Sequence, residues 1–278
     1  MRIFLISLFS IFLFFSCSKK NEITGPTPST QQEALQIYRE ALIALESAQY
    51  IKASRKFDQS ESLLPQTQWA AKSSLMSSYC MYAMNFYDEA IINLKRFMKI
   101  YPADPNIAYA HYLMAISYYE QILDEEKDLE PLITSKNTIE SFLEKYPHTD
   151  YAMDLKFKLD LILNQMAAKE ISIARYYMKN QKWIPAINRL RVVVDKYDDT
   201  IFVEEALFRL VEIYHRIGLA GEARAAAALL GYNYNSSKWY ERSYKVLNTD
   251  YKPLKIKKEN QEGSLVKRTL KKLLNIND

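Results

Sequence analysis

The stretches YIKASRKF (50–57), YDEAIINL (87–94) and WIPAINRL (183–190) share one pattern: an aromatic residue, an alanine three places on, and a large apolar residue four places later. A fainter copy, AGEARAAA (220–227), keeps Ala220, Ala223 and Ala227 at the same spacing. Steps of three and four place these residues on one stripe of an α-helix. Upstream, Ala34, Leu35, Tyr38, Ala41, Leu42 and Leu45 fall on a similar stripe. Helix ends recur as well, as KRFMKIYP (95–102), ESFLEKYP (140–147) and RVVVDKYD (191–198). No strand alternation with hairpin signals appears up to Tyr232, so the expected class is all-α.

Ala53 to Ala90 and Ala186 to Ala223 are each 37 residues, close to the roughly 34-residue tetratricopeptide unit. In such a unit a small alanine lets paired helices approach, an aromatic wedges between them, and a proline stops the second helix. The expected fold is therefore a tetratricopeptide-like right-handed superhelix of about five helix pairs, ten helices, over residues 33–231. ILDEEKDLEP (122–131) lengthens the third unit, and its acidic cluster reads as a solvated loop. Asp150 to Asn180 contains no Gly or Pro and reads as one helix of roughly 45 Å. The chain has 278 residues with five glycines, none of them between Pro26 and Ile217, so no glycine-rich phosphate loop can be built there. With 13% aromatic residues the body is not a disordered chain.

Residues 1–17 read MRIFLISLFSIFLFFSC. The apolar run of about 14 residues would be roughly 21 Å long as a helix, short of a ~30 Å hydrocarbon core. A basic residue, a short apolar run and a small residue before a cysteine form a secretory-signal layout. Ser16 followed by Cys17 resembles the bacterial lipobox, with Phe14 at −3 where leucine is favoured. The expectation is a signal peptide over 1–16, acylation of Cys17 (palmitate among the chains), and a flexible tether over 17–32, SKKNEITGPTPSTQQ after the cysteine. Ser18, not Asp, follows the cysteine, which fits an outer-membrane address. Cys80 is then left alone in an apolar helical context, as a small buried hydrophobe.

Catalytic signatures are missing from the sequence. His111, His148 and His215 belong to no metal motif, and H-E-x-x-H, C-x-x-C and G-x-S-x-G do not occur. The expectation is a non-enzyme with no cofactor and no metal. The segment 232–278 is a basic tail: from Lys252 on it has eight Lys/Arg against three acidic residues. Leu265, Val266, Leu270, Leu273 and Leu274 make a helical stripe within it, suited to a membrane surface or a partner helix, and a frayed basic end is the equal alternative. A secretory leader argues against nucleic acid as partner.

The order of YPADPNIAYAHYLMAISYY (101–119), KYPHTDYAMDLKFKL (145–159), EISIARYY (170–177) and KWIPAINRLRVVVDKYDDT (182–200) resembles the BamD family of outer-membrane β-barrel assembly lipoproteins. Asp198 stands where that family's proline is expected. The resemblance implies a lipid-anchored scaffold of the machine that folds and inserts β-barrel proteins. Its C-terminal repeats would dock on a periplasmic POTRA domain of BamA, through Arg189 with Asn188 and Arg191 flanking it. Its N-terminal repeats would receive targeting strands of unfolded outer-membrane proteins, with Tyr79, Tyr82, Tyr109 and Tyr112 as groove candidates and helix packing as the plainer role for each. Other assembly-complex lipoproteins would be further partners. The alternative reading is a different tetratricopeptide lipoprotein, a secretin pilotin or an envelope-division coordinator, acting as an adaptor.

Overall fold

The computed structural model describes residues 28–65, 67–122 and 129–248, and among them there are eleven helices and no strand. Ten form five consecutive pairs: α1 (Pro28–Glu46) with α2 (Tyr50–Leu63), α3 (Gln68–Ala83) with α4 (Tyr87–Ile100), α5 (Ile107–Tyr119) with α6 (Glu130–Lys145), α7 (Asp150–Lys179) with α8 (Trp183–Lys196), and α9 (Val203–Arg216) with α10 (Ala220–Asn233). The eleventh, α11 (Lys238–Leu247), follows the last pair. This is the all-α, tetratricopeptide-like arrangement of helix pairs expected from the sequence.

The repeat is set by the second helix of each pair. Ala53, Ala90, Ala186 and Ala223 have no exposed surface, and Phe57, Leu94 and Leu190 four residues later are equally sealed. The third pair carries the same device in different letters, with Leu132, Ser135 and Ile139 buried on α6. Four of these helices stop alike, Tyr101, Tyr146, Tyr197 and Tyr234 each donating its backbone N–H to the carbonyl four residues back, at 2.8–3.0 Å. Asp198 therefore replaces a proline without altering the stop.

Inside four of the pairs the turn is also the same. Ala48, Asn85, Gln181 and Gly218 all have positive φ, between 54° and 84°, and each lies five residues before its anchor alanine. The next residue donates its N–H back across the turn, Gln49 to Ala44 O at 2.8 Å, Phe86 to Met81 O at 3.0 Å, Lys182 to Tyr177 O at 2.9 Å and Leu219 to Tyr214 O at 2.9 Å. This is a Schellman closure, which satisfies carbonyls at the end of the first helix and reverses the chain.

Compact packing divides the chain into two units, one ending at Leu159 and the other beginning at Asp160, a boundary inside α7. In the first, Ala41, Ala44, Ala53, Phe57 and Cys80 form a core cluster of α1, α2 and α3. Buried serines seam its helices: Ser54 and Ser77 hydroxyls lie 3.0 Å apart, and Ser60 Oγ donates to Ala34 O at 3.0 Å. In the second, Ala167, Ile171 and Ala174 of α7 meet Ala186, Ile187, Leu190 and Val193 of α8 and Ala206, Leu210 and Ile213 of α9.

Two boundaries differ from the sequence reading. The chain is already helical at Pro28, the first described residue, five residues inside the expected tether, and residues 29–33 continue that helix. Residues 238–247, read as part of the tail, are helical and capped by Ser237, whose Oγ accepts from Tyr240 N at 3.1 Å. Helix α11 covers the apolar end of the last pair, with Trp239 packed on Phe208 at 5.2 Å between centroids, and so replaces the neighbour that a terminal repeat lacks. Gly231 permits this approach, since a Cβ there would lie 2.5 Å from the Tyr240 ring. Cys17, the lipobox, most of the acidic insertion and the stripe at 265–274 lie outside the described residues.

Candidate functional site

Tyr79 and Tyr82 on α3 and Tyr109 and Tyr112 on α5 are all half-buried and form two ring pairs, near enough that their phenols act on one another electrostatically. Ring centroids are 6.5 Å apart for Tyr79–Tyr82 and 6.3 Å for Tyr109–Tyr112. Tyr82 continues to Tyr87 at 5.8 Å. Tyr151, at the start of α7, stacks on Tyr112 at 4.7 Å and lies 5.7 Å from Tyr109. The Tyr112 hydroxyl donates to Asp154 Oδ2 at 3.0 Å.

Burial, helped by the phenols of Tyr79, Tyr151 and Tyr82, pushes the Tyr109 hydroxyl up to about 12. Burial and then the bond to Asp154 raise Tyr112 further, and burial followed by Glu120 raises Tyr82. These phenols therefore stay protonated at neutral pH, and each remains both donor and acceptor. An aromatic surface of that kind can face apolar side chains and also hydrogen-bond an extended backbone. Tyr151 and Asp154 were not among the residues singled out from the sequence, because the cluster is closed across helices that are far apart in the chain.

In the second unit Asn188 and Arg191 are exposed on α8, while Arg189 is half-buried. Arg189 does not stand alone as an outward-pointing guanidinium. Its Nη1 donates to both Glu170 oxygens, at 3.3 and 3.2 Å, from α8 back to α7. No partner engages its Nε or Nη2 among the described residues. Glu170 thus orients the fork and leaves its other edge open. Trp183 packs partly into the α7–α9 core, with the Arg216 guanidinium 5.3 Å over its ring.

Of the other residues singled out from the sequence, Cys80 and His111 pack against neighbouring helices, while His148 and His215 are exposed. Cys80 is fully buried, and burial, with Asp58 nearby, pushes its thiol up to about 12, a state unsuited to nucleophilic chemistry. His111 lies against Tyr146 at 5.4 Å and 3.3 Å from Lys145 Nζ, and burial followed by Lys145 lowers its pKa. Among the described residues no group of three His, Cys, Asp or Glu is placed to hold a metal ion, and no helix is long and apolar enough to cross a membrane.

The family described as "YfiO: Outer membrane lipoprotein" matches residues 30–229. The outer membrane protein assembly factor BamD of Rickettsia prowazekii (strain Madrid E) is 38% identical over 232 residues, covering 83% of this chain and 90% of the relative. The BamD of Caulobacter vibrioides is also 38% identical, over 212 residues, covering 76% of this chain and 70% of the relative. That of Neisseria meningitidis serogroup A is 28% identical over 224 residues, 75% of this chain and 84% of the relative.

Proposed function

The chain belongs to the YfiO family of outer membrane lipoproteins, which includes the BamD assembly factors, and from that we infer that it serves outer-membrane protein assembly as a lipid-anchored scaffold. The observation that carries this reading is the extended match to BamD relatives across both units. The family is one of assembly factors and not of enzymes, and the adaptor alternatives, pilotin or division coordinator, are not favoured.

Cys17 carries the lipid, and the folded body faces the periplasm. The second unit docks on the periplasmic POTRA region of BamA through Arg189, Asn188 and Arg191. Arg189 is supported in this role by its geometry: one nitrogen is held by Glu170 while the rest of the fork is available to a partner carboxylate. The tyrosine cluster of the first unit receives strands of unfolded outer-membrane proteins, whose backbone would be met by protonated phenols and whose side chains by ring faces.

Binding of the full chain to the BamA periplasmic domain tests the docking assignment. Truncating a desolvated arginine anchor typically costs about 2 kcal/mol or more, roughly thirtyfold in affinity. Arg189→Ala should show that loss, and Arg189→Glu more, with helicity retained in both. Wild-type affinity in both folded variants would sink the role given to this arginine. Failure of the unaltered chain to bind BamA at all would sink the docking itself.

A further inference from the structure

The turn between α1 and α2 opens onto a groove of about 700 Å³ along α2. Lys52, Arg55 and Lys56 line it, together with Tyr50, Ile51 and Met84. A smaller neighbouring recess shares Lys52 and Lys56 and adds Glu40 and Ile43. Lys56 pairs with Glu40, which is held below the usual carboxylate range chiefly by that bond. Lys52 and Arg55 are exposed and have no carboxylate partner among the described residues, so three cations and one carboxylate leave the groove net positive. Two large aliphatic side chains stand out beside these charges, Ile43 at 63% and Ile51 at 56% exposure.

From this groove we propose that the first helix pair lies against the anionic headgroups of the membrane that holds the lipid anchor, with Lys52, Arg55 and Lys56 meeting phosphates and Ile43 and Ile51 entering the interface. The proposal rests on the anchoring role given to Cys17. Pro28, the first described residue of α1, follows that cysteine by eleven residues, and eleven residues span at most about 40 Å. The first pair is thus the part of the described fold most closely leashed to the anchor along the chain. Basic residues near an anionic leaflet gain about 1 kcal/mol each, and a basic patch beside an acyl chain is the usual form of a second membrane signal.

The test uses the full chain, expressed with its leader in a Gram-negative envelope, purified and reconstituted into vesicles of phosphatidylcholine alone or of phosphatidylcholine with phosphatidylglycerol. Amine acetylation read by mass spectrometry reports each lysine separately, so the basic tail does not confuse the result, and Lys196 of the second unit calibrates the reagent. Labelling of Lys52 should fall about fivefold in the phosphatidylglycerol vesicles, the equivalent of one favourable basic contact, and recover at high salt. Arg55→Glu should abolish this protection while leaving helicity unchanged.

Equal labelling in the two vesicles, with Cys17 acylated in the same spectra, would overturn the proposal and leave the anchor standing. Protection that is the same in neutral vesicles would overturn it too, since no headgroup charge would be needed. So would protection that appears only when an unfolded β-barrel polypeptide is added, which would make the groove a polypeptide site. A Cys17 without acyl chains would overturn the anchoring reading, and this proposal with it.

Discussion

Glu61 in the first unit and Glu205 in the second are both buried carboxylates gripped by arginine, and their surroundings differ. Glu61 accepts from Arg96 Nη1 and Nη2 at 2.9 and 2.7 Å and from the Tyr101 hydroxyl at 3.2 Å, while Arg96 also donates to Ser74 Oγ. Glu205 accepts from two arginines, Arg175 through Nε at 2.9 Å and Arg209 through Nε at 3.3 Å, and Arg209 reaches on to Glu212 at 2.7 Å. Beyond these centres the first unit presents phenols that face one another. The second presents guanidiniums laid on aromatic rings, Arg209 and Arg242 on Trp239 and Arg216 on Trp183. One backbone repeat therefore supports two different side-chain chemistries around these centres.

The largest effect that could break this comparison lies at the two acids. Glu205→Ala would remove two pairs at once, leaving Arg175, 56% exposed, without this acceptor and Arg209, 27% exposed, with Glu212 alone. Breaking a buried pair typically costs 3–5 kcal/mol, and with partly exposed arginines about 2–3 kcal/mol is expected. Glu61→Ala frees an arginine that is 44% exposed and retains Ser74, so the expected loss is about 1–2 kcal/mol. Chemical denaturation of the two variants decides the order, and an equal or reversed ranking would show that the two centres are equivalent.

The next effect tests what the units share. Ala90→Leu and Ala186→Leu should each destabilise by roughly 1–3 kcal/mol, because both alanines sit sealed where helices meet and overpacking has no outlet. An unmoved melting midpoint in either would exclude that unit from the repeat alignment.

The smallest effect concerns Ser135, which occupies the alanine position of the third pair with its hydroxyl buried and no hydrogen-bond partner among the described residues. Removing an unpaired buried hydroxyl should raise stability, so Ser135→Ala is expected to gain up to about 1 kcal/mol in the same assay. A loss would mean that the hydroxyl is bonded and that the third pair differs in kind from the others.

Ser135 also shows why the sequence reading stopped where it did. Four pairs announce themselves through alanine, whereas the third uses serine and is hidden further by its lengthened turn. Helix α7 was legible because a run of thirty residues without Gly or Pro has few other fates. Helix α11 was not, since a ten-residue segment within a basic tail has little local signal, and it is held by Phe208 and Leu230 from the preceding pair. The tyrosines could be named from their residue type, but Tyr151 and Asp154 join them only through tertiary closure. Arg189 was found by motif; its clasp by Glu170, nineteen residues earlier, follows from the pairing of α7 with α8.

The turns at Ala48, Asn85, Gln181 and Gly218 carry a consequence for how such a chain can change over time. A left-handed conformation costs a non-glycine residue roughly 1–2 kcal/mol, less for asparagine. Glycine avoids that cost but gives the unfolded chain more freedom to lose on folding. The strain is the larger of the two, so glycine keeps a modest net advantage at such a turn, yet the difference is small enough that Ala48, Asn85 and Gln181 still close theirs. Stability is then only modestly sensitive to the residue at the turn and more sensitive to the alanine five residues later, where overpacking costs roughly 1–3 kcal/mol. Sequence identity between repeats can drain away at the hinge of each pair while the hinge itself keeps its shape.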